Sequence, residues 1–155
     1  MIDWQVGEEF TTADGVVRWA SFGSGEPMVL LHGTPFSSFI WRDIALALAK
    51  ARRVYVWDML GFGQSDKNEG QDVSLGAQGR IFAALLEHWG LSQPSVVAHD
   101  VGGVVALRAA IIEAVMFHDL TLFERRRCAW MVKRGLLSDR KGQPRPLCTA
   151  TSRCP

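Results

Sequence analysis

The sequence of 155 residues has little of what marks membrane, secreted or nucleic-acid-binding proteins. No apolar run reaches the roughly 18 residues that a membrane helix requires. The first residues include Asp3, Glu8 and Glu9 and no basic stretch, so we expect no secretory leader and a cytoplasmic location. The formal net charge is only +1, which provides no general attraction to nucleic acid. We therefore expect neither a membrane nor a nucleic acid as a partner.

Cysteine is also scarce, because the chain has three cysteines, Cys128, Cys148 and Cys154. An odd number without a leader does not indicate a disulfide framework, and the C-x2-C spacing of zinc sites is missing. The loop Gly61-Phe62-Gly63 has two glycines of a dinucleotide fingerprint but lacks the third, and no helix is predicted to begin there. We therefore expect no metal and no cofactor.

Charge is distributed unevenly along the chain. Residues 1–115 contain 8 basic and 13 acidic side chains, whereas residues 116–155 contain 9 basic and 3 acidic side chains. This division predicts an ordered part over 1–115 and a divergent, basic, poorly ordered tail over 116–155. Within the tail, 117–137 is predicted to form a helix, and 138–155 is rich in Arg, Pro, Ser and Thr and is predicted to be disordered.

Strand and helix patterns alternate through the first 115 residues. Short β-rich runs predict strands, and apolar residues at helical spacing predict helices between them. The predicted strands are 16–22, 27–31, 53–57 and 94–98, with a hairpin partner for the first within 4–12, and the predicted helices are 38–50, 74–89 and 102–115. This alternation predicts an α/β fold with a mostly parallel sheet and flanking helices.

The last predicted strand, 94–98, would normally be central in such a sheet. Because no further strand–helix pair is predicted after it, one flank of this apolar strand is expected to be uncovered. The pattern therefore predicts an incomplete fold that self-associates through an exposed sheet edge.

The segment Val96-Val97-Ala98-His99-Asp100-Val101-Gly102-Gly103 places a carboxylate between a predicted strand and a predicted helix. It matches the nucleophile-elbow pattern of strand, small residue, x, nucleophile, x, glycine and helix, with aspartate where serine is better known. Small residues at Ala98 and Gly102 allow the backbones to approach, and the helix amino terminus adds a positive dipole end. The alternative is that Asp100 only caps the helix, since aspartate is a favoured N-cap residue.

Two further motifs precede this segment, His32-Gly33-Thr34-Pro35 and Asp58-Met59-Leu60-Gly61-Phe62-Gly63-Gln64-Ser65-Asp66-Lys67. With the three motifs in this order, residues 5–112 resemble the N-terminal half of the α/β-hydrolase superfamily. They resemble most the branch with an aspartate nucleophile, which includes epoxide hydrolases and haloalkane and haloacetate dehalogenases. The resemblance implies an incomplete α/β-hydrolase fold and hydrolysis of a small organic substrate through a covalent ester.

The resemblance also implies roles for individual residues. Asp100 would attack the substrate carbon, and the backbone N–H groups of Thr34 and Val101 would form the oxyanion hole. His32 would shape the loop that aims the first of these N–H groups, and His99 would be a packing residue.

Some positions depart from this pattern. Thr34 and Val101 stand where dehalogenases usually carry side chains that hold the departing halide, and valine has no donor. Opening an epoxide would need acid groups, usually tyrosines of a cap domain, whereas the only tyrosine, Tyr55, lies in a predicted strand. The sequence therefore does not select one substrate within the branch.

After residue 115, no histidine or acid matches the positions that the family uses. His118 comes too early, and its neighbour Asp119 is not expected to orient it in the manner of the family. A carboxylate is ionised at pH 7 and needs no base for its own alkylation, but hydrolysis of the ester needs an activated water. We therefore expect a chain that stalls as the ester or, as the alternative, a truncated non-catalytic remnant without the catalytic histidine and acid.

Two hypotheses concern the basic tail. Its composition suggests that 116–155 is the product of a frameshift. A third functional hypothesis, besides the hydrolase and the remnant, is that the basic segment 125–153 binds acidic partners.

Overall fold

One seven-stranded sheet organises the protein, of which a computed structural model describes residues 4–124 and 127–133. The strands are β1 (Glu8–Thr12), β2 (Gly15–Phe22), β3 (Pro27–Leu31), β4 (Arg53–Trp57), β5 (Ser95–His99), β6 (Asp119–Glu124) and β7 (Arg127–Lys133). The helices are a 3-10 turn (Ser38–Trp41), α1 (Arg42–Leu48), α2 (Leu75–His88) and α3 (Val101–Ile112). The spatial order of the strands is β1-β2-β4-β3-β5-β6-β7.

The centre of the sheet is parallel and its flanks are antiparallel. Strand β3 pairs in parallel with β4 and β5, and β5 pairs in parallel with β6. The hairpin of β1 and β2 joins β4 in antiparallel register, and β7 joins β6 in the same way. The predicted α/β class and the hairpin partner within 4–12 are confirmed, and the sheet as a whole is mixed.

Both faces of the central strands are buried. Along β3, Val29 and Leu31 belong to the core on the α2 and α3 side, whereas Leu30 belongs to the core on the α1 side, with Trp41 and Ala45. Successive strand residues point to opposite faces, so a strand with helices on both faces is apolar throughout. This arrangement explains the short unbroken apolar runs of the sequence.

Helix α2 has the boundaries that its sequence predicts. The hydroxyl of Ser74 accepts a hydrogen bond from the N–H of Ala77 at 3.2 Å and caps the first turn. After the helix, Gly90 has a φ of +69°, and the N–H of Leu91 donates to the carbonyl of Leu86 at 2.9 Å. This is a Schellman ending, which favours glycine because an L side chain is strained at positive φ.

The prediction for the segment after residue 115 is wrong where the structure describes it. The helix expected over 117–137 is replaced by the strands β6 and β7. Leu120 and Leu122 alternate with polar residues, and Leu120 is fully buried in the core beside β5. A period of two and a vacant apolar flank on β5 favour a strand over a helix at this position.

Strand β5 therefore has neighbours on both sides, and the uncovered flank predicted for it is not present. Self-association through a sheet edge stays a prediction, and so does the division at residue 115. The disorder predicted for 138–155 lies outside the described residues. The helix predicted over 38–50 is divided into the 3-10 turn and α1.

Candidate active site

The three sequence motifs meet at one edge of the sheet. His32 to Pro35 follow β3, Asp58 follows β4 and Asp100 follows β5. These strands are adjacent, and β3 is parallel to both of the others, so their carboxyl ends lie together. The carboxyl edge of a parallel sheet is where ligands bind in open α/β folds.

Asp100 stands on a strained turn between β5 and α3. Its backbone has φ 51° and ψ −122°, outside the regions that L residues prefer, and its side chain makes no capping hydrogen bond to α3. The side chain is exposed. The strained backbone and the missing cap bond favour the nucleophile-elbow interpretation of Asp100 over the N-cap alternative.

Glycines allow the backbone to crowd around this turn. A Cβ on Gly33 would lie 2.6 Å from the Cβ of Asp100 and 2.8 Å from its Oδ2. A Cβ on Gly102 would lie 2.5 Å from the carbonyl oxygen of His32. Both distances are shorter than any van der Waals contact, so the loop after β3 and the start of α3 approach Asp100 only because these residues lack side chains.

A backbone N–H group donates to the carboxylate of Asp100. The N–H of Thr34 donates to Oδ2 of Asp100 at 3.2 Å. Val101 is the first residue of α3, where N–H groups have no partner within the helix. Thr34 therefore contacts the carboxylate of Asp100, and Val101 follows Asp100 in the chain.

His32 holds two loops together beneath the site. Its Nδ1 donates to the carbonyl of Gly33 at 2.8 Å, and its Nε2 accepts the N–H of Met59 at 2.9 Å. This pattern requires the neutral ring. Burial lowers the pKa of His32 below its usual value, although the Gly33 carbonyl and the charge of Asp58 act in the opposite direction. With both nitrogens committed to the backbone, His32 acts as a structural residue, as the resemblance implies.

Asp58 is a second structural centre, and its importance was not singled out from the sequence. Its side chain is 1% exposed. One carboxylate oxygen accepts the N–H of Ser38 at 2.6 Å, and the other accepts the N–H of Gln64 at 2.7 Å. A buried carboxylate with two backbone donors ties the loop after β3 to the loop after β4.

The glycine-rich loop belongs to this same structure. Gly63 has a φ of +53°, and a Cβ there would collide with the Asp58 carboxylate. No helix begins at Gly63, since α2 starts only at Leu75. The loop wraps a carboxylate of the protein and lacks the helix amino terminus that holds a dinucleotide phosphate.

His118 and Asp119 lie at the opposite edge of the sheet. Asp119 pairs with Ser95 at the amino end of β5, whereas Asp100 follows the carboxyl end of the same strand. Nδ1 of His118 lies 2.9 Å from Oδ2 of Asp119, so the two neighbouring side chains contact each other. The full length of β5 still separates this pair from Asp100.

Of the two remaining histidines, His88 is the last residue of α2 and His99 directly precedes Asp100. His88 packs against Phe10 and Trp19 near the end of α2, with ring centroids 4.9 and 5.8 Å apart. His99 precedes the nucleophile, and its ring packs 6.1 Å from the ring of Phe36.

Two features are absent from the residues that the structure describes. Within 4–124 and 127–133, no helix is long and apolar enough to cross a bilayer. In the same ranges, no group of three or more His, Cys, Asp or Glu side chains could hold a metal ion.

Known proteins resemble most of this chain. A haloalkane dehalogenase 2 of Mycobacterium tuberculosis is 31% identical over 105 residues, which are 68% of this chain and 37% of the relative. A soluble epoxide hydrolase of a Corynebacterium species is 37% identical over 94 residues, 58% of this chain and 31% of the relative. The crystal structure of an α/β hydrolase fold protein from Burkholderia ambifaria is 44% identical, with a TM-score of 0.75, and the match covers 81% of this chain and 46% of that one.

The chain thus spans about a third of the length of the two curated relatives. The sequence model of the α/β hydrolase fold family matches residues 26–115, which contain all three motifs of the site. By this match and by its sheet, the chain belongs to the α/β hydrolase fold family.

Proposed function

We propose that the protein is an Asp-nucleophile hydrolase of a small organic electrophile, with Asp100 as the attacking group. The observation that carries the proposal is the setting of Asp100: an exposed carboxylate on a strained turn, with one oxygen held by the N–H of Thr34. A cap residue needs neither feature, whereas a nucleophile needs both exposure and a fixed direction.

The first step would be an alkylation. Because Oδ2 accepts the N–H of Thr34 at 3.2 Å, Oδ1 is the oxygen that attacks the carbon of the substrate. A new C–O ester bond forms and the carbon–leaving-group bond breaks. Its electron pair goes to the leaving group, which departs as halide or, from an epoxide, becomes an alkoxide that takes a proton from water.

The second step would be hydrolysis of the ester. Water would attack the Cγ of Asp100, and the N–H groups of Thr34 and Val101 would stabilise the negative charge that develops on the carboxyl oxygen. This step needs a base, which is worth about 10² to 10⁴-fold in rate. Since His32 is bound to backbone on both nitrogens and His118 lies across the sheet, we expect the ester to accumulate.

The relatives indicate only the chemical class of the substrate. Relatives named as haloalkane dehalogenases and epoxide hydrolases both match this chain. Val101 offers no side-chain donor to a halide directly after the nucleophile, and Tyr55, the only tyrosine of the sequence, lies within strand β4. Epoxides and haloalkanes therefore both stay candidate substrates, and the test uses one of each.

The test is intact-mass analysis of the full chain after incubation with styrene oxide or 1-bromobutane. We expect the mass of the protein to increase by the mass of one bound substrate moiety. Peptide sequencing should map this moiety to Asp100. Asp100→Asn should show no adduct at this position, a loss of more than about 100-fold in rate. The matched control is Asp119→Asn, which removes an aspartate that also follows a histidine and should keep the adduct.

An adduct that forms equally in Asp100→Asn would contradict the proposal. So would the absence of any adduct on a chain whose circular dichroism and cooperative unfolding show that it is folded. That second result would favour the non-catalytic remnant. Sustained turnover by the pure protein would keep Asp100 as nucleophile but refute the accumulating ester.

A further inference from the structure

Phe36 presents a large apolar side chain on the loop that contacts the nucleophile. It is 44% exposed, although a phenyl ring is normally buried when the fold allows it. It stands two residues after Thr34, on the loop whose backbone reaches the Asp100 carboxylate. An exposed aromatic ring on such a loop has the position of a substrate contact.

The position of Phe36 relative to Asp100 follows from two shared neighbours. The Phe36 ring packs against the His99 ring at a centroid distance of 6.1 Å. Nδ1 of His99 and Oδ2 of Asp100 each lie 2.8 Å from the point where a Cβ on Gly33 would stand. The His99 ring and the Asp100 carboxylate therefore both face Gly33, and Phe36 contacts this ring.

The backbone around Phe36 is held on both sides. Its N–H donates to the carbonyl of Gly33 at 3.1 Å, which closes a turn over Thr34 and Pro35. The next residue, Ser37, caps the 3-10 turn by accepting the N–H of Phe39 at 3.4 Å. A side chain on a backbone fixed in this way contacts a ligand at little cost in conformational entropy.

The loop that carries Phe36 has no charged side chain. The loop 33–38 consists of Gly, Thr, Pro, Phe, Ser and Ser, and Val101 on the other side of Asp100 is also apolar. None of the ion pairs formed by the described residues involves this loop. The loop 33–38 thus favours a neutral substituent on the substrate. The phenyl ring of Phe36 adds the edge and face contacts that aromatic groups prefer.

We propose that Phe36 is a specificity-determining residue that selects electrophiles with an aryl substituent next to the reacting carbon. This inference rests on the proposed function, because it assumes that Asp100 is alkylated. The aryl ring of the substrate packs on Phe36 while the epoxide carbon faces Oδ1 of Asp100.

The test compares two epoxides of nearly equal size, styrene oxide and cyclohexyloxirane. Rate constants for formation of the Asp100 ester are measured by intact mass on the full chain. The readout is the ratio of the aryl rate to the alkyl rate, relative to the same ratio in wild type. This comparison cancels the intrinsic reactivity of the two epoxides and any difference in the folded fraction.

We expect Phe36→Leu to lower this ratio about threefold to tenfold, the factor expected for one aromatic–aromatic contact. Leucine keeps the apolar bulk, so the variant is expected to fold, and Phe36→Ala should lower the ratio equally. The matched control is Phe39→Leu, which removes an equally exposed phenyl ring, 49% exposed, that lies under the guanidinium of Arg42. Its ratio should stay at the wild-type value.

Three results would overturn the inference. The first is a Phe36→Leu variant in which both rate constants, and so their ratio, stay at the wild-type values. This would mean that Phe36 does not recognise aryl groups. The second is an equal fall of both rates, which would make Phe36 a residue that only holds the loop. The third is an unmodified Asp100 in the folded wild type with both epoxides, which overturns the proposed function as well and so differs from the first two.

Discussion

The dipeptide His-Asp occurs twice near strand β5. His118-Asp119 lies beside the amino end of β5, at the start of β6, and His99-Asp100 lies at its carboxyl end. At the amino end, Oδ2 of Asp119 accepts both the hydroxyl of Ser95 and Nδ1 of His118 at 2.9 Å. At the carboxyl end, Asp100 has a φ of 51°, accepts a backbone N–H and is exposed. The same residue pair is thus a strand-to-strand tie at one end of β5 and a candidate nucleophile at the other.

The difference lies in the backbone. Asp119 begins a strand and its carboxylate is occupied by two side chains, whereas Asp100 is forced into a turn by a helix that starts at the next residue. Side-chain donors hold the carboxylate of Asp119 in place within the protein. At Asp100, backbone strain and a preorganised N–H group orient the carboxylate toward a substrate. Reactivity at this edge is therefore a property of the three loops that surround Asp100.

The largest effect should come from removing the charge that ties these loops. We expect Asp58→Asn to lower the free energy of unfolding by about 3 kcal/mol, because an amide cannot accept both the Ser38 and the Gln64 N–H and one buried donor is left unpaired. Urea unfolding measures this loss.

Asp119→Asn is the control at the other edge. Its side chain is 26% exposed and that of its partner His118 is 68% exposed, so the same change should cost less than about 1 kcal/mol. Equal losses in the two variants would show that the carboxyl edge is no more constrained than the amino edge.

A smaller effect is expected where space around the nucleophile is removed. Gly33→Ala places a methyl group 2.6 Å from the Cβ of Asp100, so the loop or the nucleophile must shift by a fraction of an ångström. We expect the alkylation rate of Asp100 to fall about tenfold, since a displacement of 1 Å can cost about 100-fold.

Gly7→Ala is the matched control for this change, because nothing lies within 4 Å of a Cβ at Gly7. Its alkylation rate should equal that of wild type. A Gly33→Ala variant that reacts at the wild-type rate would refute the tight fit around Asp100.

The smallest effect is a dependence of stability on pH that comes from His32. Burial holds the pKa of His32 below its unfolded value of about 6.5, so the neutral ring is favoured by folding. This contribution is complete above pH 6.5 and is lost as the pH falls through the lowered pKa, because protonation breaks the bond from the Met59 N–H.

Urea unfolding between pH 7.5 and pH 5 measures this dependence. The fall in stability toward pH 5 should be shallower in His32→Gln than in wild type, and unchanged in His118→Gln, whose histidine is 68% exposed at the other edge. A wild-type slope in His32→Gln would assign the pH dependence to other groups.

Sequence patterns predicted the elements that have local signals. The N-cap at Ser74 and the glycine at Gly90 delimit α2, and alternating apolar runs delimit β3, β4 and β5. Strands β6 and β7 were missed because their sequence, with Arg125 to Arg127 between apolar residues, also fits one face of a helix. Residues 119–124 form a strand because they pair with the free edge of β5, and this edge exists only in the assembled sheet.

The sequence by itself determined the fold family, the position of Asp100 between a strand and a helix, and the small residues that such a turn requires. Those features are local or depend on spacing, so they can be read along the chain. Only the tertiary structure decided that Asp58 joins two loops, that His32 is bound to backbone on both nitrogens, and that His118 is remote from Asp100. All three depend on the relative positions of segments far apart in sequence, and these positions are set by the order of the strands in the sheet.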